Sequence, residues 1–198
     1  VQALNAQSRP HFLFNTLHTI GQLGRSGKSD DADAVLDHLG ALFHKVHAST
    51  AQMTIPLAEE LAIVREYLAI EEARYHDRLR TCITAQDGVL ERHVPPLILQ
   101  PIVENAVRHG ISAVSTAGRL TVSAESVGGT LHLVVHDDGP GPTAPPARPG
   151  SGLGLRSTKE RLARMYGPDA ELRIEGDAGS GTTATIVIPV LAADEDPR

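Results

Sequence analysis

Residues 100–110, QPIVENAVRHG, form the stretch from which the rest of the chain is interpreted. The proline pair at 95–96 suits the first turn of a helix that we expect to reach His109. Polar side chains would then stack at i, i+4 spacing on one side of that helix, Glu104 with Arg108 and Asn105 with His109. Carboxylate and amide oxygens beside a cation suit a Mg²⁺-phosphate pair. Taken alone, a solvated amphipathic face explains the pattern at least as well.

Two glycine-rich segments downstream also carry polar residues where a plain core needs apolar ones. Residues 137–141 (DDGPG) follow a predicted strand, where a carboxylate can accept a hydrogen bond from an exocyclic amine such as that of adenine. A tight turn explains this segment equally well. Residues 150–155 (GSGLGL) open a predicted helix, whose first N–H groups favour phosphate. The proline-rich loop between them, residues 142–149, is interpreted as a lid that orders on a ligand.

The surrounding sequence mixes strands with helices. Gly128-Gly129 predicts a hairpin turn, and residues 152–166 predict a helix. Strands are predicted at 80–85, 119–126, 130–136, 171–175 and 182–189. We therefore predict an α+β domain over residues 53–192, followed by a disordered tail at 193–198.

Upstream, two segments show the apolar spacing of amphipathic helices, and a third helix is predicted at about 57–75. The first segment runs from about Ala3 to Arg25, and the second begins near Ser29 or Asp30 as its N-cap. Their apolar stripes comprise Leu13, Phe14, Leu17, Ile20 and Leu23, then Val35, Leu36, Leu39, Leu42, Phe43 and Val46. The two helices predict a hairpin over residues 1–52. Since a lone hairpin leaves its stripe half uncovered, we expect a homodimer built on a four-helix bundle.

Composition narrows the possible partners and location. With 198 residues and a formal net charge of −6, the chain is a poor general binder of nucleic acid, which requires a basic face. Its single cysteine, Cys82, fits a reducing, cytoplasmic compartment. The first residue is Val1 rather than Met and the helical pattern is already under way by Leu4, so we expect a longer protein with an upstream sensor segment.

Taken in order, these motifs resemble a known ATP site. The asparagine helix, DxGxG, a ten-residue loop, GxGxGL and Gly181-Thr182-Thr183 before a closing strand resemble the Bergerat fold of histidine kinases, type II topoisomerases, Hsp90 and MutL. Nearly the whole chain is similar to LytS-type sensor histidine kinases, through LNAQSRPHFLFNTLHTI, VREYLAIEEARYHDRL, PPLILQPIVENAVRHGI, DDGPG, GSGLGLRSTKERL and GTTATIVIPV. This resemblance implies a dimerisation and phosphoacceptor hairpin joined to a Bergerat-type α/β sandwich, with a mixed sheet and helices on one face.

The resemblance also implies a set of ligand contacts, with ATP and Mg²⁺ as cofactors. Asn105 would ligate Mg²⁺, Arg108 would contact phosphate and His109 would lie near the nucleotide. Asp137 would read the adenine amine. The other implied cofactor-binding residues are Gly139 and Gly141 in the adenine pocket, Gly150, Gly152, Gly154 and Leu155 at the lid, and Thr182 near the base.

Residues 8–15 (SRPHFLFN) mark the subfamily, and the resemblance makes His11 the phosphoacceptor. At about 100° per residue, His11, Asn15 and His18 fall on one side of the helix, so His11 should be reachable. A neutral imidazole keeps a nucleophilic lone pair at neutral pH. Pro10 lacks the helical N–H, so we expect a kink immediately before His11.

Two residues near His11, Phe12 and Asn15, are compared with the residues that related kinases carry at the same positions. Phe12 follows His11, where many histidine kinases place an acid, so the general base is open and Glu104 is the candidate. Asn15 stands four residues after His11, where some kinases keep a group that orients water for dephosphorylating the partner.

These inferences predict a two-component kinase core that autophosphorylates His11 from Mg-ATP and passes the phosphoryl group to an aspartate of a response regulator. The alternative is an ATP-binding dimeric signalling scaffold without kinase activity. Simple ATP hydrolysis is disfavoured because Pro101 stands where Bergerat ATPases carry a water-activating Glu. We expect a cytoplasmic location, at the inner face of the membrane if the upstream segment spans it.

Overall fold

A computed structural model describes residues 8–111, 117–141, 153–177 and 179–189, in which helices precede a mixed sheet. The helices are α1 (Ser8–Arg25), α2 (Ser29–Thr50), α3 (Leu57–Tyr75), α4 (Gln100–Asn105) and α5 (Leu153–Tyr166), with a π-helix at Ala106–Ile111 and 3₁₀ turns at His76–Arg78 and Gly167–Asp169. The strands are β1 (Ile55–Pro56), β2 (Leu79–Ala85), β3 (His93–Val94), β4 (Gly118–Val127), β5 (Thr130–Asp137), β6 (Glu171–Glu175) and β7 (Thr182–Pro189). The predicted α+β class is therefore confirmed.

Five strands form the main sheet, in the order β2-β4-β5-β7-β6. Strands β2 and β4 are parallel, and the other neighbours are antiparallel, which makes the sheet mixed. Burial alternates along β5 and β7, as expected when one face packs against helices and the other faces solvent. Gly128 and Gly129 both have positive φ, so they supply the tight turn that joins β4 to β5.

The strand predictions agree closely with the structure, whereas the predicted helix from the proline pair does not. Helix α4 begins only at Gln100, because Leu97 takes a left-handed φ of 58° that a continuous α-helix does not allow. Its continuation at Ala106–Ile111 is a π-helix. The first seven residues, the 142–149 loop and the 193–198 tail lie outside the described residues, so the predictions that fall there are untested.

The start of α4 is held by a buried carboxylate from α3. Glu60 is fully buried and accepts hydrogen bonds from the backbone N–H of Leu97 at 2.7 Å and of Leu99 at 2.8 Å. Arg161 of α5 donates from Nη1 to the carbonyl of Pro96 at 2.6 Å and stabilises the Glu60 charge. Glu60 and Arg161 thus join α3 and α5 to the segment that introduces α4.

Only part of the predicted apolar stripe of the hairpin is buried within one chain. Leu23, Val35, Leu39 and Leu42 are buried, and Thr16 and Thr19 share the buried face of α1. The hydroxyls of both threonines donate to backbone carbonyls one turn earlier, at 2.9 and 3.0 Å, so these polar groups are satisfied. The larger apolar side chains Leu13, Phe14, Leu17, Leu36 and Phe43 are exposed by 37% to 72%.

Helix α3 connects the hairpin to the sheet domain. Glu66 Oε2 lies 2.8 Å from His38 Nδ1, and Glu66 Oε1 lies 3.6 Å from Lys45 Nζ, so α3 and α2 share a polar contact. On the α1 side, the ring of Phe12 packs on Tyr67 with centroids 5.3 Å apart. Within the described ranges, no helix is long and apolar enough to cross a membrane.

Replacement of Glu60 by glutamine should change how stability depends on pH. Burial raises the pKa of Glu60 from 4.5 to about 7, so the folded protein holds a proton that the unfolded chain releases. Below pH 4.5 protonated Glu60 makes its full contribution to the free energy of unfolding. As pH rises through 7, about 3 kcal/mol of that contribution is lost. Urea unfolding from pH 4.5 to 8 should therefore show Glu60→Gln less stable than wild type at low pH, with the difference shrinking as pH rises. A difference independent of pH would contradict the raised pKa.

Candidate functional site

The polar helix, the DDGPG segment and the start of β7 meet around Asp137. This residue ends β5 and pairs in register with Thr182, the first residue of β7. Gly110 of the π-helix lies directly against the Asp137 side chain, because a Cβ added to Gly110 would collide with that carboxyl group. The fold therefore brings three segments, distant in sequence, to one end of the sheet.

Asp137 is a buried carboxyl with few internal partners. It is 3% exposed, and its Oδ1 accepts a hydrogen bond from the Gly139 N–H at 3.0 Å. Burial raises its pKa to about 6, although the Gly139 bond and nearby His136 oppose that shift. At neutral pH the group is mostly ionised, so it can accept a further hydrogen bond from a donor such as an amine.

Two glycines allow the backbone to approach this carboxyl closely. A Cβ on Gly139 would lie 2.7 Å from Asp137 Oδ1 and would also collide with the Gly110 backbone. Gly110 and Gly139 therefore pack closely against each other and against the Asp137 carboxyl. Gly139 was predicted from the sequence, but Gly110 was missed because a glycine after a helix is ordinarily interpreted as a C-terminal cap.

The 100–110 segment is not one continuous α-helix. Asn105 is the last residue of α4, whereas Arg108 and His109 belong to the π-helix, whose i→i+5 hydrogen bonds change the periodicity. Glu104 accepts a hydrogen bond from Gln100 Nε2 at 3.1 Å. Burial and the Arg108 charge lower the pKa of His109, so its neutral form is favoured. A π-helix at this position is a feature often found at functional sites.

The start of α5 lies beside α4. A Cβ on Gly154 would be 3.3 Å from Pro101 Cβ, and the carbonyl of Gly154 accepts a hydrogen bond from the buried Thr158 hydroxyl at 3.0 Å. Leu155 is partly buried and packs against the core. Gly150 and Gly152 lie outside the described residues. The described part of the predicted lid thus begins next to the helix that carries Asn105.

His11 and Asn15 lie on α1 of the hairpin, in a different element from the Asp137 site. His11 is exposed, and Asn15 Nδ2 is 3.1 Å from its Nδ1. The predicted grouping of these two side chains on one face is therefore present. The candidate phosphoacceptor, His11, and the candidate ATP-site residues therefore lie on different elements of the chain.

The chain matches two protein families. The histidine kinase family matches residues 1–79, and the histidine kinase-, DNA gyrase B- and HSP90-like ATPase family matches residues 95–192. The first match extends over α3 as well as the hairpin. Together the two families account for most of the chain.

Curated relatives are sensor kinases that are longer than this chain. It is 34% identical to sensor histidine kinase BtsS of Escherichia coli K12 over 96% of this chain and 33% of the relative. It is 32% identical to sensor protein LytS of Bacillus anthracis over 99% of this chain and 35% of the relative. The chain thus spans about a third of the length of the relatives it matches.

Solved structures support the same fold. The histidine kinase domain of the blue-light activated kinase EL346 from Erythrobacter litoralis gives a TM-score of 0.53 at 24% identity, over 86% of this chain and 80% of that one. The histidine kinase AdeS of Acinetobacter baumannii gives 0.52 at 18% identity, over 93% and 98%. At these identities the likeness concerns the fold alone.

Substitution of Gly110 by alanine should destabilise the protein through Asp137. The added Cβ would occupy the space of the carboxyl group, and overpacking of this kind costs about 1–3 kcal/mol. Gly40→Ala is the matched control, because that helical glycine has nothing within 4 Å of the added Cβ and should gain up to about 1 kcal/mol. Urea unfolding of both variants measures the difference, and equal stabilities would show that Gly110 has room for a side chain.

Proposed function

The chain belongs to the histidine kinase family, and on that premise we propose that it is the catalytic core of a two-component sensor kinase. It transfers the γ-phosphoryl group of Mg-ATP to His11 and then to an aspartate of a response regulator. The observation that carries this proposal is the buried Asp137 carboxyl, enclosed by Gly110 and Gly139, in the same chain as an exposed histidine.

The ATP pocket is proposed to form around Asp137. Its carboxylate accepts a hydrogen bond from the exocyclic amine of adenine, and Gly139, Gly141 and Thr182 shape the surrounding walls. Arg108 contacts phosphate, and His109 lies near the nucleotide in its neutral form. Gly150, Gly152, Gly154 and Leu155 would supply the lid, with backbone N–H groups at the start of α5 directed to phosphate.

A magnesium ion fits this pocket as a partner of the nucleotide. Asn105 offers one hard oxygen at the end of α4. Within the described ranges, no group of three or more His, Cys, Asp or Glu side chains could hold a metal ion. A single amide oxygen suits Mg²⁺, which usually keeps one or two protein ligands and takes its other ligands from phosphate and water. When bound, it would neutralise charge that develops on the transferred phosphoryl group.

The hairpin is proposed to act as phosphoacceptor and dimer interface. Leu13, Phe14 and Leu17 on α1 and Leu36 and Phe43 on α2 remain exposed, which is unusual for large apolar side chains. We propose that the exposed side chains of both helices form one apolar surface. A second copy would cover that surface as a four-helix bundle. Asn15 could also orient water during dephosphorylation of the response regulator.

Removal of the imidazole should abolish phosphorylation. Incubation of the protein with Mg²⁺ and γ-labelled ATP should give label that is acid-labile and alkali-stable, as expected for phosphohistidine. His11→Gln should remove this label, whereas His18→Gln, at an exposed histidine of the same helix, should retain it. ATP binding without any label would favour the dimeric scaffold instead. Steady phosphate release without a phosphoprotein would favour an ATPase.

Asp137→Asn should weaken ATP binding by about 10- to 150-fold, since a hydrogen bond to a charged acceptor contributes about 1.5–3 kcal/mol. One oxygen of Asp137 already accepts the Gly139 N–H, and the amide nitrogen that replaces the other oxygen cannot accept the adenine amine. The matched control is Asp138→Asn, since Asp138 Oδ1 accepts the Arg119 N–H at 2.7 Å and an amide oxygen can do the same. Calorimetric titration with ATP and with inosine triphosphate, which lacks the amine, separates the base contact from the phosphate contacts. If wild type bound both nucleotides equally, Asp137 would not read the amine.

A further inference from the structure

Tyr67 of α3 is the buried side chain against which the His11 turn of α1 packs. It is 5% exposed, and its ring centroid lies 5.3 Å from that of Phe12, the residue after His11. The two rings are inclined by 33°, and tilted aromatic pairs of this kind are favoured over a face-to-face stack. His11 and Phe12 are neighbours in α1, so the position of Phe12 on Tyr67 determines where the exposed imidazole is presented.

The hydroxyl end of Tyr67 is fixed by a buried carboxyl group. Burial raises the pKa of Tyr67 well above 10, so its hydroxyl keeps its proton and donates it to Glu71, one turn later on α3. Glu71 is 2% exposed, and Arg74 contacts both of its oxygens. Arg74 Nη1 donates to Oε1 at 3.1 Å, and Arg74 Nη2 lies 2.9 Å from Oε2. A guanidinium group on both oxygens restricts the carboxyl group to one orientation.

Arg74 is restrained in turn by the next residue of α3. Its Nη2 donates to the Tyr75 hydroxyl, and its Cζ lies 4.3 Å from the centroid of the Tyr75 ring, a cation–π contact. We call these four connected residues, Tyr67, Glu71, Arg74 and Tyr75, the Tyr67 cluster. Movement of the Tyr67 hydroxyl would break a hydrogen bond to a charged group, which costs more than loss of a neutral one.

The Tyr67 cluster faces α4 as well as α1. Helices α3 and α4 are in contact, and on the α4 side Gln100 Nε2 donates to Glu104 Oε1 at 3.1 Å. Burial is the main cause that raises the pKa of Glu71 to about 7, and the charge of Glu104 adds to it, so the two carboxyl groups lie near each other. The cluster thus connects α1 with α4, the helix that ends at Asn105.

From these contacts we propose that Tyr67 is a positioning residue for phosphoryl transfer to His11. Its ring supports Phe12 and its hydroxyl is fixed by Glu71, so the imidazole is presented at one defined place relative to α3 and α4. The inference rests on the proposed kinase function, and adds to it a residue that acts on transfer through Phe12 without touching ATP. It also gives Phe12, which cannot take up a proton, a role next to the phosphoacceptor.

The transfer itself balances without a proton or an electron pair from Tyr67. A ring nitrogen of His11 forms a bond to the γ-phosphorus, the bond from that phosphorus to the β,γ-bridging oxygen breaks, and ADP leaves with its electron pair. The proton on the other ring nitrogen passes to solvent, because His11 is exposed. Tyr67 affects only the placement of the imidazole, and a misplacement of about 1 Å can slow a reaction about 100-fold.

Loss of the ring contact should slow transfer more than loss of the hydroxyl. In single-turnover labelling at saturating ATP and pH about 8, where imidazoles are neutral, Tyr67→Leu and Phe12→Leu should each be about 10- to 100-fold slower than wild type. Tyr67→Phe keeps the ring, so it should be only about fivefold slower, the value of one hydrogen bond. Tyr166→Phe, the matched control, removes the hydroxyl of another buried tyrosine, on α5, and should label as fast as wild type.

Three comparisons distinguish positioning from general damage to the fold. A double variant that carries both Phe12→Leu and Tyr67→Leu should be no slower than the slower single variant, because both changes remove the same contact, whereas independent effects would multiply. The dissociation constant for ATP should be the same in all variants. Phosphoramidate, a small phosphoryl donor that needs no ATP site, should label the exposed His11 equally in all of them, with His11→Gln as the blank.

A fluorescence measurement tests the ring contact without any kinase activity. The chain contains no tryptophan, so Phe12→Trp introduces a single indole at the place that packs on Tyr67. Acrylamide should quench this indole more strongly when Tyr67→Leu is combined with it, because the indole then loses the ring that covers one of its faces. Tyr166→Phe in the same background should leave the quenching unchanged.

The outcomes separate this inference from the proposed function. If wild type takes no label from ATP, the kinase proposal fails, and a role of Tyr67 in transfer fails with it. If wild type is labelled, the inference alone is overturned by any of four results. These are a wild-type labelling rate in Phe12→Leu, losses that multiply in the double variant, a matching change in ATP affinity or phosphoramidate labelling, and quenching of the indole that is independent of Tyr67.

Discussion

The buried Glu60 carboxylate is the constraint on which the arrangement of α3, α4 and α5 around the proposed ATP site depends. The proline pair and the left-handed Leu97 leave the start of α4 without a regular helical turn, and Glu60 accepts hydrogen bonds from the Leu97 and Leu99 N–H groups, which this turn would otherwise leave unpaired. Through Arg161 the same cluster reaches α5. The helices that carry Asn105 and Gly154 are therefore positioned by one residue of α3, a helix that also packs on the hairpin. A buried acid with satisfied acceptors can specify such an arrangement because leaving the N–H groups unbonded is costly.

The sequence predicted the five strands of the main sheet well, because they are long enough to show alternating apolar residues, whereas the two-residue strands β1 and β3 were missed. The limits of β6 and β7 and the β4–β5 hairpin agree with the structure. The start of α4 was wrong, since a proline pair suits a first helical turn and nothing local indicates that Leu97 is left-handed. Its correct position depends on Glu60, 37 residues upstream of Leu97, and long-range hydrogen bonds of that kind leave no local pattern.

The candidate site shows the same division between local and long-range information. Asp137 and Gly139 were predicted because the DDGPG motif follows directly on the strand β5, which the sequence also indicates. The π-helix was not, because its residues fit an α-helical pattern and its geometry is decided by the contact of Gly110 with Asp137. On the hairpin, the stripe of apolar residues is divided between an inner half that packs on α2 and α3 and an outer half that stays exposed. A sequence shows that both halves are apolar, but the three-dimensional arrangement is needed to tell them apart.

The contact between Phe12 and Tyr67 limits how far α1 can turn about its own axis. Successive residues of a helix are about 100° apart, so a twist large enough to move His11 by one position must pull Phe12 off Tyr67. Aromatic pairs of this kind contribute about 0.5–1.5 kcal/mol beyond their buried area. Rotation of α1 therefore costs the free energy of this aromatic contact, which favours the orientation in which His11 is exposed.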